Sequence, residues 1–200
     1  MKALIVLFNG DFNNLNLDNY DLVIACDRGA YILSKMNIHF DIAVGDFDSV
    51  NDTEFELIKN YAKEIIKLNP IKDDSDTLHA ISLCNNYDEI IINGGIKGNR
   101  IEHFIANLLL IFSNNKIKMF DSNSFIELID SNDYNVKLNY KFVSLFSLSD
   151  DTIISLSGFK YNLNNFNLKQ YNPLGLSNEI INNPKIDLIK GKLIIIYTNE

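Results

Sequence analysis

Only two cysteines occur, Cys26 and Cys84, and they form no CxxC pair. Each lies in an apolar stretch, so both read as reduced core residues, and the expected compartment is the cytosol. Basic side chains are outnumbered: 18 Lys and Arg against 26 Asp and Glu give a formal net charge of −8. That balance argues against a surface for nucleic acid or another polyanion. An acidic protein still accommodates a nucleotide where a metal and a few placed cations screen its phosphates. Long apolar runs are missing too. The opening Ala3 to Phe8 is too short for a signal-peptide core or a membrane span and runs straight into Asn9-Gly10, so no membrane partner is expected. No long repeat is visible. Asn-Asn pairs begin at 13, 85, 114, 164 and 182, but apolar periodicity continues through them, as in a compositional bias rather than a prion-like tract.

What is present is an ordinary globular composition, 46% apolar and 22% charged, long enough for one large domain or two small ones. The first half alternates short apolar strands (residues 4–8, 22–25, 42–44, 64–68, 89–92, 116–120) with amphipathic helices (30–36, 52–61, 76–83, 102–112). Asn51 or Asp52 is placed to cap the second helix. Such alternation predicts an α/β domain over residues 1–121, a mostly parallel sheet with helices on both faces. After Asp121 the helical period vanishes. Residues 125–129, 135–138 and 142–148 alternate, and 186–189 and 193–197 flank Lys190-Gly191-Lys192, a hairpin signal. Residues 122–200 therefore read as all-β, a small sandwich or a partly open barrel.

Four polar clusters fall at strand ends of the first half. In Cys26-Asp27-Arg28-Gly29-Ala30, Asp27 either faces a metal or ribose or caps the next helix, and Gly29 permits close approach of a phosphate. Asp46 and Asp48 follow the strand Ile42-Ala43-Val44 and the turn residue Gly45. Hard oxygen donors so close together suit Mg²⁺, while an Asp-rich turn is the plain alternative. Lys72-Asp73-Asp74-Ser75-Asp76 offers three carboxylates and a lysine, with Asp74 or Ser75 as cap and the others free for a metal or a cationic substrate. The fourth cluster, Gly94-Gly95-Ile96-Lys97-Gly98-Asn99-Arg100-Ile101-Glu102-His103, leads into a helix. Its backbone N–H groups with Lys97 and Arg100 suit phosphate, although it is neither a Walker loop nor GxGxxG. His103 either contacts phosphate or carboxylate or is structural.

One short match concerns Asp46-Phe47-Asp48-Ser49-Val50, which resembles the DxDx[TV] signature of aspartyl-phosphate phosphatases. There the first aspartate is the nucleophile. That superfamily carries the motif after its first strand, whereas here it follows the third.

Taken in order, the clusters resemble thiamine pyrophosphokinases over nearly the whole chain. The resemblance rests on Asn9-Gly10, Asp27-Arg28-Gly29-Ala30, Gly45 to Ser49, Lys72 to Asp76, and Gly95 to His103 with Asn107. In the second half it rests on Gly158-Phe159-Lys160-Tyr161-Asn162-Leu163 and Ser177-Asn178-Glu179. Ser75 stands in place of a threonine, Asn99 of a glycine and Glu102 of an aspartate. The resemblance implies an α/β nucleotide-binding domain followed by a β-sandwich. It implies pyrophosphoryl transfer from ATP to thiamine, giving thiamine diphosphate and AMP, in a homodimer whose thiamine sites lie at the subunit interface. On this reading Asp46, Asp48, Asp73, Asp76 and Arg100 are catalytic, and Asp46, Asp48 and Asp76 hold Mg²⁺. Asp27, Lys72, Gly95, Lys97, Gly98, Arg100 and His103 contact ATP, and Asp76, Ser177 and Asn178 contact thiamine. The rival readings are a Mg²⁺-dependent phosphatase with Asp46 as nucleophile and an inactive nucleotide-sensing module.

Overall fold

The computed structural model describes residues 1–13, 15–69, 75–98, 100–132 and 134–199. The chain divides into two compact units, Met1–Leu110 with Lys116–Ser122, and Ile111–Asn115 with Asn123–Glu200. Among the described residues no helix is long and apolar enough to cross a membrane.

The first unit carries strands β1 (Lys2–Val6), β2 (Leu22–Cys26), β3 (Phe40–Gly45), β4 (Ala62–Lys67), β5 (Glu89–Asn93) and β6 (Ile117–Phe120). Their order is β6-β5-β1-β2-β3-β4, and every neighbouring pair is parallel. On β1, Ala3, Leu4, Ile5 and Val6 are all fully buried, so the strand reads as a continuous apolar run because neither face meets water. Helices α1 (Arg28–Lys35) and α2 (Asp52–Tyr61) bring Ala30, Leu33 and Ile58 onto Leu4, Val6, Val23 and Ala25. Cys26 alternates with Ala25 to the opposite side, where its sulfur lies 4.0 Å from the Asp76 carbonyl of α3 (Asp76–Ser82). Helix α4 spans Ile101–Ser113. Asn51 and Glu54 form a reciprocal capping box at the start of α2, two bonds of 3.0 Å.

From β1 the chain steps outward through β2, β3 and β4, then returns to the other side of β1 with β5. The direction of winding therefore reverses between β1 and β5. At such a reversal the loops beyond the carboxyl ends diverge and leave a crevice.

The second unit contains β7 (Ser124–Ile129), β8 (Phe142–Ser147), β9 (Thr152–Phe159), β10 (Leu163–Leu168), β11 (Gly175–Lys190) and β12 (Leu193–Thr198), paired antiparallel. The long β11 pairs with β8 through Gly175–Glu179 and with β9 from Ile180 onward, so two ladders share it. Leu145, Ile154, Leu156, Ile186, Leu188, Leu193 and Ile195 meet in one core.

Two expectations are corrected here. Lys190-Gly191-Lys192 turns the chain but makes no hairpin, because β12 pairs with β7 and β8 rather than with β11. The turn instead carries the chain between ladders whose inward residues share that core. Residues 135–138 are not a strand either. They are pinned as irregular chain: Tyr134 donates to Glu127 (2.7 Å) and shares a 2.7 Å hydroxyl bond with Tyr197, whose oxygen accepts the Lys137 N–H.

Candidate active site

The crevice at the β1/β5 reversal is a cleft of about 620 Å³ within the first unit. Its walls come from the residues after β1, β2 and β5 and from the starts of α3 and α4.

The β2 side is built around Asp27. Its amide donates to the Val44 carbonyl (3.0 Å), and its Oδ1 accepts the Phe47 N–H (3.0 Å). Gly45 makes the room: a Cβ there would stand 1.9 Å from Asp27 Oδ1, and its φ of +152° disfavours other residues. Asp27 occupies the cap position of α1, yet its side chain makes no capping bond. Its carboxyl instead hydrogen-bonds Asp76, the first residue of α3. Burial, then the bond and charge of Asp76, and then the charge of Asp46 push Asp27 up to about 7, against the Phe47 N–H, which lowers it. Ser75 caps α3 by accepting the Leu78 N–H (3.2 Å), which leaves Asp76 directed at the cleft wall.

Of the three expected metal ligands, Asp76 lines the cleft and Asp46 and Asp48 do not. Asp46 is half-buried and accepts the Asp48 N–H (3.1 Å), closing an Asx turn that leaves Asp48 exposed. Asp46 reaches the cleft electrostatically, through Asp27. Among the described residues no group of three or more His, Cys, Asp or Glu is placed to hold a metal ion. Lys72, Asp73 and Asp74 lie outside the described residues.

The β5 side is the glycine-rich loop. Asn9, just beyond β1, accepts the Gly95 N–H (2.8 Å) on its Oδ1 and donates its amide to the Lys97 carbonyl. Asn107 of α4 donates to the Gly95 carbonyl (3.4 Å). A Cβ on Gly95, at φ +79°, would come within 2.5 Å of that Asn107 nitrogen. Gly95, Lys97, Gly98, Arg100 and His103, residues expected to contact ATP, all line the cleft. Arg100 is paired with Glu102 (Nε to Oε1, 2.7 Å), and this bond holds the Glu102 carboxyl below the usual range.

The structure adds residues to which the sequence reading gave no role. Arg28 lines the cleft and donates to the Ser49 carbonyl (2.9 Å), tying the β2 and β3 turns together. Asn9 and Asn107 brace the loop, and the exposed Phe8 supplies an apolar patch. Arg28 and Asn9 stand inside quoted motifs, so their signal was present. The bracing itself joins residues 86 apart in the chain and has no local signature.

In the second unit the two late motifs meet. Asn178 is buried and clamps the backbone of Tyr161, accepting its N–H (2.9 Å) and donating to its carbonyl (2.7 Å). Lys160 donates its N–H to the Glu179 carbonyl (2.9 Å). Asn178, expected to face thiamine, thus has both ends of its amide engaged within the chain. Ser177 is exposed at φ +48° and donates its N–H to Ser144 Oγ (2.9 Å).

A parallel sheet whose reversal point carries a braced glycine loop, cations and paired acids has the makings of a kinase-type transferase. Residues 13–120 match the family model for the thiamin pyrophosphokinase catalytic domain, and residues 129–193 match that for the thiamin pyrophosphokinase vitamin B1 binding domain. Thiamine pyrophosphokinase of Bacillus subtilis (strain 168) is 30% identical over 214 residues, covering all of both chains. A crystal structure of thiamine pyrophosphokinase from Bacillus subtilis superposes with TM-score 0.82 at 28% identity, again over the whole of both chains. A family protein from Enterococcus faecalis shares the fold at TM-score 0.87 and 24% identity, also over both full chains. The chain belongs to the thiamin pyrophosphokinase family. Its activity is thiamine diphosphokinase, the transfer of a pyrophosphoryl group to thiamine.

Proposed function

We propose that ATP is the pyrophosphoryl donor and that its phosphates lie in the cleft of the first unit, with AMP as the second product. The observation that carries this reading is the braced loop: backbone N–H groups, Lys97 and Arg100 line the same cleft as the Asp27–Asp76 pair. Phosphoryl-type transfer needs positioning and charge neutralisation more than covalent help from the protein. Gly95, Lys97, Gly98 and Arg100 hold phosphate oxygens, Arg28 and His103 flank them, and Lys72 joins them. The thiamine hydroxyl attacks the β-phosphorus in line, and an aspartate accepts its proton late.

Mg²⁺ is the proposed cofactor, held by Asp46, Asp48 and Asp76, with Asp73 and Asp27 supporting them. The donor set fits a hard cation in its chemistry: oxygen donors only, beside an Asp27 that burial first, and then Asp76 and Asp46, push up to about 7. When bound, the ion neutralises phosphate charge. Asp76 also attracts the thiamine cation, and Ser177, exposed where β11 is irregular against β8, is the proposed contact from the second copy to its aminopyrimidine. Asn178 supports that contact by fixing the Tyr161 turn beside it.

The finer architecture belongs to the same proposal. Residues 1–121 form a nucleotide-binding catalytic domain with helices on both faces of its sheet, and residues 122–200 form a β-sandwich for thiamine binding and dimerisation. The sharing of β11 between two ladders supports the sandwich. Two copies pair with their thiamine sites at the subunit interface, and the protein works in the cytoplasm. Free buried Cys26 and Cys84 are in keeping with that compartment.

Incubation with ATP, Mg²⁺ and thiamine tests the reading, with AMP and thiamine diphosphate expected in equal amounts. Inorganic phosphate without a thiamine requirement points to the phosphatase reading. ATP binding without turnover points to a sensing module.

A further inference from the structure

A half-exposed cation of the cleft is tied to one of the most deeply buried carboxylates in the first unit. Asp121, directly after β6, has a side chain only 2% exposed, and its Oδ2 lies 3.0 Å from Lys97 Nζ. Lys97 also donates to Ser122 Oγ (3.4 Å), while its side chain stays 55% exposed and lines the cleft. The contact with Asp121 is a pairing of charges, and of the three ammonium N–H groups Ser122 takes one, so donors remain for an oxygen in the cleft.

The placement follows from the sheet. β5 lies between β1 and β6, and the glycine loop follows β5. From the β1 side, Asn9 grips the loop backbone at Gly95 and Lys97. From the β6 side, the Phe120 carbonyl accepts the Gly94 N–H (2.8 Å) and Asp121 takes the Lys97 ammonium. A carboxylate removed from water is costly without a partner cation. Lifting the loop away from the cleft therefore strips the Lys97 cation from a buried negative charge, and that cost opposes the movement.

We propose that Asp121 is a positioning residue for the pyrophosphoryl donor: it aims Lys97 and holds the glycine loop in the shape that receives polyphosphate. This inference rests on the reading of the loop as the ATP phosphate cradle. Asp121 itself touches no reacting atom. Its contribution is preorganisation, so it acts on donor binding ahead of the chemical step.

The test measures KM for ATP and kcat for wild type, Asp121→Asn, Lys97→Met and the double variant, in the AMP-forming assay with saturating thiamine. Each single variant is expected to raise KM for ATP by about tenfold, the scale of one charge-assisted bond, while kcat changes by less than about threefold. In the Lys97→Met background, Asp121→Asn is expected to add no more than about a twofold change, because the residue acts through the lysine. An unchanged KM in Asp121→Asn, or an effect equally large with and without Lys97, overturns the proposal while leaving the cradle reading intact. Absence of turnover by the wild type overturns both. If Asp121→Asn alone does not fold, the double variant decides. A folded double variant with the KM of Lys97→Met supports the role, and an unfolded one assigns Asp121 to the core and overturns it.

Discussion

Asp27→Asn is expected to make the metal-free protein more stable at pH 8 and to leave its stability near pH 4 unchanged. The asparagine keeps an oxygen for the Phe47 N–H and offers an N–H to Asp76, so it preserves the geometry while removing one charge. The wild-type carboxyl titrates at about 7 in the fold, first because it is buried and then because of Asp76. In the unfolded chain it titrates near 4. Below about pH 4 it is protonated in both states and carries no penalty. Between about 4 and 7 the native state holds more protons than the unfolded one, so stability falls as pH rises, and above about 7 the full penalty applies. Complete ionisation corresponds to at most about 4 kcal/mol, and because the group is partly open to solvent, screening reduces this to about 1–2 kcal/mol. The variant's Tm in a chelator-containing buffer at pH 8 is then roughly 2–8 °C above wild type, closing to nothing near pH 4. A difference that is independent of pH, or a variant less stable at pH 8, refutes the account of this pair.

Three further outcomes are expected. Gly45→Ala places a Cβ 1.9 Å from Asp27 Oδ1 at a φ of +152° and is expected to cost roughly 1–3 kcal/mol by thermal denaturation. Asn9→Ala frees the Gly95 N–H and the Lys97 carbonyl and is expected to raise KM for ATP with a smaller effect on kcat, as read by AMP release. Asp46→Asn and Asp48→Asn are each expected to abolish Mg²⁺-dependent AMP formation with circular dichroism unchanged; wild-type turnover in either removes that residue from the metal site.

The parallel half was legible because its signals are local. Runs such as Leu4-Ile5-Val6 need no partner to be recognised as buried, and Asn51 with Glu54 announces a helix start within four residues. The glycine loop was legible for the same reason. What escaped depends on contacts distant in sequence. Asp27 meets Asp76 across 49 positions, and nothing around either residue records that they are neighbours. Asn178 reads as an available amide until Tyr161, 17 residues away, is seen to occupy both of its ends. Lys190-Gly191-Lys192 encodes a reversal of direction, yet whether the flanking strands pair is decided by β7 and β8, which claim β12 first. The alternation at 135–138 suggested a strand, and the Tyr134–Tyr197 hydroxyl contact holds the segment in another shape.

The fate of the β-phosphorus of ATP bears most directly on the central claim. With ATP labelled at that atom, thiamine and Mg²⁺, the label is expected in thiamine diphosphate, matched by an equal amount of unlabelled AMP. Label left on ADP, or released as inorganic phosphate or pyrophosphate while thiamine stays unmodified, contradicts it.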